Sequence, residues 1–404
     1  MASVRNEHFF LYGFYGQDNV GDDLLLQATI GGIRNICANA SFVVRNEGPI
    51  KGIETYGDRL VLTGVDRILS DQSRSKFARA VEAIRLYRHH FRSCGWFIFG
   101  GGTVFHDRNS ALPLAFTALI CAMARMMGLR VVALGVGISS LQSLVGRVLL
   151  RSIVRMSDLF TVRDEQAFAE CIKAGASRRV QRTADLAFTL PHVLTKTHLQ
   201  SGDRTMSRVG FSVYPPVFLD PANGPARLDV FRQILSTVLA KGCAVSLLAF
   251  HGDPAASETK HDRGIFDKVT QAIPAELKSG IRFYALTADR KTLAEVYGDL
   301  DLHCGMRFHG HVLAAIFGLP FVGIAIDNKI NGICEFFEMP VVELKDFSEQ
   351  AVITSIDKAL HYAIDWQQRE KVIAKAMRNF SLLSELHESR ASADRHATTG
   401  PSRG

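Results

Sequence analysis

An alternation of short apolar runs with helical patterns, played out twice along the chain, most constrains what this sequence can fold into. In the first half, Phe9 to Gly13 reads as a buried strand, followed by a glycine-rich turn and a helix from about Asp22 to Cys37. Phe42 to Val44, Arg59 to Leu62 and Trp96 to Phe99 read as further strands. A helix over Pro113 to Met127 leads into the strand Arg130 to Gly135, and Asp158 to Val162 precedes a helix near Glu165 to Ala174. A polar stretch, His198 to Arg208, then interrupts the pattern. It restarts with strands at Val209 to Val213, Ala244 to Phe250, Ile281 to Tyr284, Leu300 to His303 and Pro320 to Ala325. Helices at Leu228 to Leu239, Gly264 to Ile273, Thr292 to Tyr297 and His311 to Phe317 separate them. Such alternation predicts parallel βαβ units.

The expected fold class is therefore α/β, with two Rossmann-like domains facing across a cleft. They are placed at 1–197 and 209–347, with a linker at 198–208, helices over 348–387 and a loose polar tail at 388–404. A chain of 404 residues suits two domains of ordinary size. The net charge of +7 favours acidic partners. It is spread along the chain without a nucleic-acid module, so phosphorylated substrates fit better than nucleic acid. Seven cysteines, an odd number with no CxxC, suggest neither a disulfide framework nor a cysteine zinc site. Met1 to Glu7 is polar and has no signal-peptide character. The longest apolar stretch, Ala111 to Ala124, is shorter than the ~20 residues of a membrane span. A cytoplasmic setting follows as the expectation.

The notable motifs all fall where a strand ends, which is where open α/β sheets bind ligands. The first runs from Gly13 to Asp23 (GFYGQDNVGDD). Its glycines, Gly21 among them, let backbone approach a ligand, and the following helix start suits an anion. Asn19 and Asp22 could hold sugar hydroxyls or phosphate there; equally, the loop is a tight turn capped by Asp22 and Asp23. The second is Gly100-Gly101-Gly102, followed by His106 and Asp107. Three glycines in a row cost conformational entropy, so either a close substrate or a crowded crossing requires them. In the third, Arg163 ends a strand and either clamps an anion or pairs with Asp164, while Asp185 reads as a turn or cap within reach.

The fourth motif is the most specific: Cys304-Gly305-Met306-Arg307-Phe308-His309-Gly310-His311. Arg307 and His309 lie two apart, so extended backbone would aim both the same way, toward a donor carrying a carboxylate and a phosphate. His303, His309 and His311 lack a carboxylate or thiolate at metal spacing, and no metal is expected. Lys329, after Asp327, adds a charge pair beyond the next strand. The helix Ser73 to Arg92 is basic and amphipathic, and reads either as a solvated face or as a contact with an anionic leaflet.

These motifs, in this order, resemble the polysaccharide pyruvyl transferase family. The likeness is carried by Asn19-Val20-Gly21-Asp22, the triple glycine with Asp107, Val162-Arg163-Asp164, Met306-Arg307-Phe308-His309-Gly310, Gly318-Leu319-Pro320 and Asp327-Asn328-Lys329. It covers about residues 9–335, with Arg-Phe-His where the family has Arg-Tyr-His or Arg-Leu-His. The resemblance implies a GT-B-like architecture, phosphoenolpyruvate as co-substrate with no further cofactor, and a pyruvate ketal placed on a sugar of a cell-surface polysaccharide or its lipid-linked precursor. It links Arg163, Arg307 and His309 with the donor. The phosphoenolpyruvate side is expected in the C-terminal domain and the acceptor side in the N-terminal one.

Ketal formation needs a proton on the methylene carbon and fixed cations for the anions. His309 is the expected acid or phosphate partner, with Asp22 or Asp107 orienting or deprotonating the acceptor hydroxyl. Arg163, Arg307, Asn19, Gly21, Gly101, Gly102, His311 and Lys329 form the expected binding set. Other readings are a GT-B-type glycosyltransferase using a nucleotide sugar, and a catalytically silent sugar- or lipid-binding protein. The basic helix at 73–92 would bring the protein to the inner face of the membrane.

Overall fold

Runs such as HFFLYGFY and WFIFG are apolar on both faces, which suits strands covered by helices above and below. The computed structural model describes residues 5–48, 50, 59–107, 110–190, 206–251 and 261–398. It divides into two units, one of Met1–Gln17, Asp22–Leu190 and Val372–Gly404, the other of Asp18–Gly21 and Pro191–Lys371.

The first unit holds β1 (His8–Tyr15), all but the first two residues of α1 (Val20–Ile36), β2 (Ser41–Asn46), β3 (Leu60–Leu62), α2 (Val65–Ser70), α3 (Lys76–Phe91), β4 (Trp96–Gly100) and β5 (Thr103–Phe105). It continues with α4 (Leu112–Met126), β6 (Arg130–Ile138), α5 (Leu144–Met156), β7 (Leu159–Val162), α6 (Glu165–Lys173) and β8 (Gln181–Arg182). The strands are parallel in the order β3-β2-β1-β4-β6-β7-β8, with β5 beside β6. Alternate residues divide between the two faces. Phe10, Tyr12, Phe97 and Phe99 enter one core with Tyr87 and Phe91 of α3, Ile120 of α4 and Ile153 of α5. On the other face Phe9 stacks on Trp96 at 5.8 Å.

The second unit runs β9 (Arg208–Ser212), α7 (Pro215–Phe218), α8 (Gly224–Ala240), β10 (Ala244–Ala249), α9 (Asp262–Gln271), β11 (Ile281–Ala285), α10 (Arg290–Gly298) and β12 (Leu302–Gly305). Then come α11 (Phe308–Phe317), β13 (Phe321–Ala325), α12 (Asn328–Phe337), β14 (Val341–Glu343) and α13 (Glu349–Ala359). Its sheet is also parallel, in the order β11-β10-β9-β12-β13-β14. In both sheets the winding direction reverses beside the first strand of the unit, between β1 and β4 and between β9 and β12. Crevices for ligands open at the carboxyl ends of such strand pairs.

The C-terminal part corrects the sequence reading. The helical stretch breaks at 360–365, and α14 (Trp366–Thr398) continues through the tail expected to be loose from 388. Ser384 Oγ donates to Glu388 one turn on, and Arg390 Nη1 donates to the Gly95 carbonyl at 2.7 Å, which holds the helix down. Residues 399–404 lie outside the described residues, as does most of the expected linker at 198–208. Arg208, assigned to that linker, instead opens β9 and pairs with Asp299 at 2.9 Å. Among the described residues no helix is long and apolar enough to cross a membrane.

Candidate functional site

In the first unit the β1–α1 turn is closed by its own side chains. Asp23 accepts from the Gly16 N–H at 3.1 Å, and Gly16 has φ of 68°. The triple glycine after β4 turns through φ of 79° at Gly101 and 76° at Gly102, a left-handed region that side chains resist. A Cβ at Gly102 would fall 3.3 Å from Asp22 Oδ1. Asp22, Gly101 and Gly102 are thus brought together beside the switch point of the first sheet. Beneath them the Tyr15 hydroxyl donates to the Gly100 carbonyl at 3.1 Å. Burial, with the charge of Asp22 next, pushes that phenol far above its ordinary range.

Arg163 is near this turn but committed elsewhere. Its Nη1 donates to Asp185 at 2.7 Å, Nη2 to Thr103 Oγ1 at 2.9 Å and Nε to Asp164 at 3.2 Å. Its side chain is 2% exposed. Burial alone would make the guanidinium easier to deprotonate, but Asp185 and Asp164 reverse that and hold its charge. The guanidinium lies over Gly137, where a Cβ would sit 2.9 Å from Nε. The expected donor clamp is, in this geometry, a buried ion network knitting β5, β7 and the 185 turn.

Asp107 is likewise occupied. Oδ1 accepts from the Gln142 N–H at 2.8 Å, and Oδ2 from the Ser143 N–H at 2.9 Å and hydroxyl at 2.7 Å. Burial pushes this carboxyl up, but these bonds outweigh it and hold the group below its usual range. Because Ser143 caps α5, Asp107 braces a helix start.

In the second unit the β12–α11 turn carries Arg307 and His309. Arg307 is the residue before α11, which no side chain caps. Its Nε donates to the Val213 carbonyl at 2.8 Å, Nη2 is ion-paired with Asp262, and the guanidinium lies 5.4 Å from the Tyr214 ring centre. Asp262 is fully buried and also accepts from the Phe250 and His251 N–H groups at 2.9 and 3.1 Å. Four elements therefore fix the direction of one guanidinium whose side chain keeps 13% exposure. His309 stands in the first turn of α11, and a Cβ at Gly21 would fall 2.1 Å from its Nδ1. The 18–21 segment belongs to this unit: Val20 N–H donates to the Phe250 carbonyl at 3.2 Å, and Asn19 Oδ1 accepts from Gly21 N–H at 3.1 Å. Arg307, His309, Asn19 and Gly21 are thus gathered at the second switch point.

His311 is not part of that group. It is fully buried, its Nε2 bonds the Gly305 carbonyl at 3.0 Å, and its ring lies 4.9 Å from that of His303. Burial pushes it down to about 4, so it is a neutral core residue. Lys329 pairs with Asp327 at 3.0 Å at the start of α12. Among the described residues no cluster of ligands could hold a metal ion. Asp262 was not foreseen. An acid at a helix start reads as a cap, and its partner Arg307 is 45 residues away.

Solved structures of similar shape include a UDP-GlcNAc 2-epimerase from Methanocaldococcus jannaschii (TM-score 0.61, 10% identity, 94% of this chain and 99% of that one). Others are a glycosyltransferase from Rickettsia africae (TM-score 0.55, 9% identity, 98% and 100%) and a UDP-GlcNAc 2-epimerase from Neisseria meningitidis (TM-score 0.53, 8% identity, 94% and 98%). At these identities the likeness is one of fold, the GT-B type of glycosyltransferases and epimerases. No curated protein sequence matches the chain. The family model described as polysaccharide pyruvyl transferase matches residues 19–328, a span that begins at Asn19 and takes in both switch-point loops and the Arg307–His309 turn. This chain belongs to the polysaccharide pyruvyl transferase family.

Proposed function

We propose that this enzyme transfers the pyruvyl group of phosphoenolpyruvate to two hydroxyls of a sugar, forming a ketal on a cell-surface polysaccharide or its lipid-linked precursor. The observation that carries the reading is the β12–α11 turn, where Arg307 is aimed by a buried aspartate and His309 follows two residues on, inside the span matched by the family. An uncapped helix start beside a guanidinium suits an anion with phosphate and carboxylate groups. His309 delivers a proton to the methylene carbon, leaving cationic character on the adjacent carbon. One sugar hydroxyl attacks that carbon and gives up its proton, inorganic phosphate departs with its C–O bond pair, and a second hydroxyl closes the ring and loses its proton. Asp22, beside Gly101 and Gly102, serves the acceptor. Asp107 and Arg163 are given bracing roles in this scheme, because their polar atoms are already bonded.

Ligand-dependent melting tests it, since a ligand selective for the folded state raises the melting temperature. Phosphoenolpyruvate should raise it and UDP, GDP and CMP should not. His309→Ala should keep the shift and lose turnover. A shift with a nucleotide alone would replace this reading with nucleotide-sugar glycosyl transfer.

A further inference from the structure

Helices α3, α4 and α5 lie on one face of the first sheet, each packed on the next. The middle one is apolar nearly all round: between Leu112 and Met126 only Thr117 and Arg125 are polar, and Thr117 is buried. A helix of that composition is ordinarily buried on every side. Here Leu114, Ile120, Cys121 and Ala124 fill the core, while Leu112 (69% exposed), Leu119 and Met126 (80%) form a stripe at seven-residue spacing facing outward. Its neighbour α5 adds exposed Leu144 (75%), Val145 and Val148, and α3 begins with exposed Phe77. Large exposed apolar side chains gathered on three adjacent helices mark an interaction site.

Charge says what kind. Lys76, Arg85 and Arg88 of α3 and Arg151 and Arg155 of α5 are exposed on the two helices that pack against α4. The three helices carry one acid, Glu82, and it is already paired with Arg74. An apolar helix packed between two basic ones is the chemistry that an anionic bilayer surface recognises: acyl chains take Leu, Met and Phe, and headgroups take the cations. A second copy of the chain would bring like charges against each other.

We infer that the α3–α4–α5 face is a peripheral docking surface for anionic lipid. It extends beyond the single basic helix at 73–92, because most of its apolar area is on α4 and α5. The test is sedimentation of the full chain with vesicles of phosphatidylcholine, with and without phosphatidylglycerol. Binding should require phosphatidylglycerol and weaken as salt rises. Leu119→Gln with Met126→Gln should abolish it, and Arg151→Gln or Arg155→Gln should each weaken it about fivefold. These residues have no role assigned in the donor or acceptor sites, so the phosphoenolpyruvate melting shift should be intact in every variant. Docking and the donor reading thus fail separately. No binding to phosphatidylglycerol vesicles, or variants that bind like the parent, would overturn the inference. So would a dimer that dissociates in the Leu119→Gln, Met126→Gln variant without any vesicle binding, which would make the face a contact between copies.

Discussion

Arg163 and Arg307 both follow a parallel strand and both meet a buried aspartate, yet they end in opposite states. Arg163 has all three of its nitrogens bonded inside the first unit, whereas Arg307 is held by one edge and keeps the other toward its surroundings. Arg163→Ala removes the cation beside buried Asp185, and should cost roughly 3–5 kcal/mol of stability, read from the urea midpoint. Arg307→Ala leaves the fully buried Asp262 without its cation and should lower stability as well, while abolishing the phosphoenolpyruvate melting shift. His311 makes a separate prediction. The unfolded chain binds a proton there near pH 6.5, the folded chain only near 4, so the unfolded state holds more protons between those values. Stability should therefore fall on acidification from about pH 6.5 to 4, by up to about 3 kcal/mol from this residue. Melting temperature against pH should be flatter across that window in His311→Gln.

Among the elements, α14 is the one whose placement matters most. Asn379, fully buried, bonds Thr161 and Thr183 and donates to the Ala184 carbonyl at 3.3 Å, at the ends of β7 and β8. The Phe380 ring lies where a Cβ on Gly32 would sit, 2.2 Å from it, so α1 needs glycine there to receive it. Asn379→Ala leaves buried threonine hydroxyls without this partner and should cost about 1–3 kcal/mol, measured by urea unfolding.

Much of this layer was readable from residues alone. Strands such as WFIFG are continuous apolar runs because both faces are covered, and that pattern survives without knowing any partner. The expected elements omit helix α5, although Arg147, Arg151 and Arg155 recur along it at four-residue spacing, and β14, because three residues at a sheet edge carry little signal. The loops of the site were legible as loops. What each side chain does in them was not. Asp107 is claimed by Ser143, 36 residues on, and Arg163 by Asp185, 22 on. A ligand clamp and a buried brace use the same residue types, and only the partner brought by the fold tells them apart.

For the molecule as a whole, the net charge of +7 and the basic residues of the α3–α5 face point the same way, toward anionic surroundings. The route of the chain has a consequence of its own. The chain leaves the first unit after Leu190 and supplies the rest of it only from Val372 onward. Roughly 180 residues intervene, on the order of ten to forty seconds of translation. Through that interval the nascent first sheet waits at the ribosome with the Thr161–Thr183 end uncovered, while the whole second unit is made and can fold. The usual order, in which the portion synthesised first is finished first, is inverted, and the early half must be kept from aggregation until its closing helix emerges.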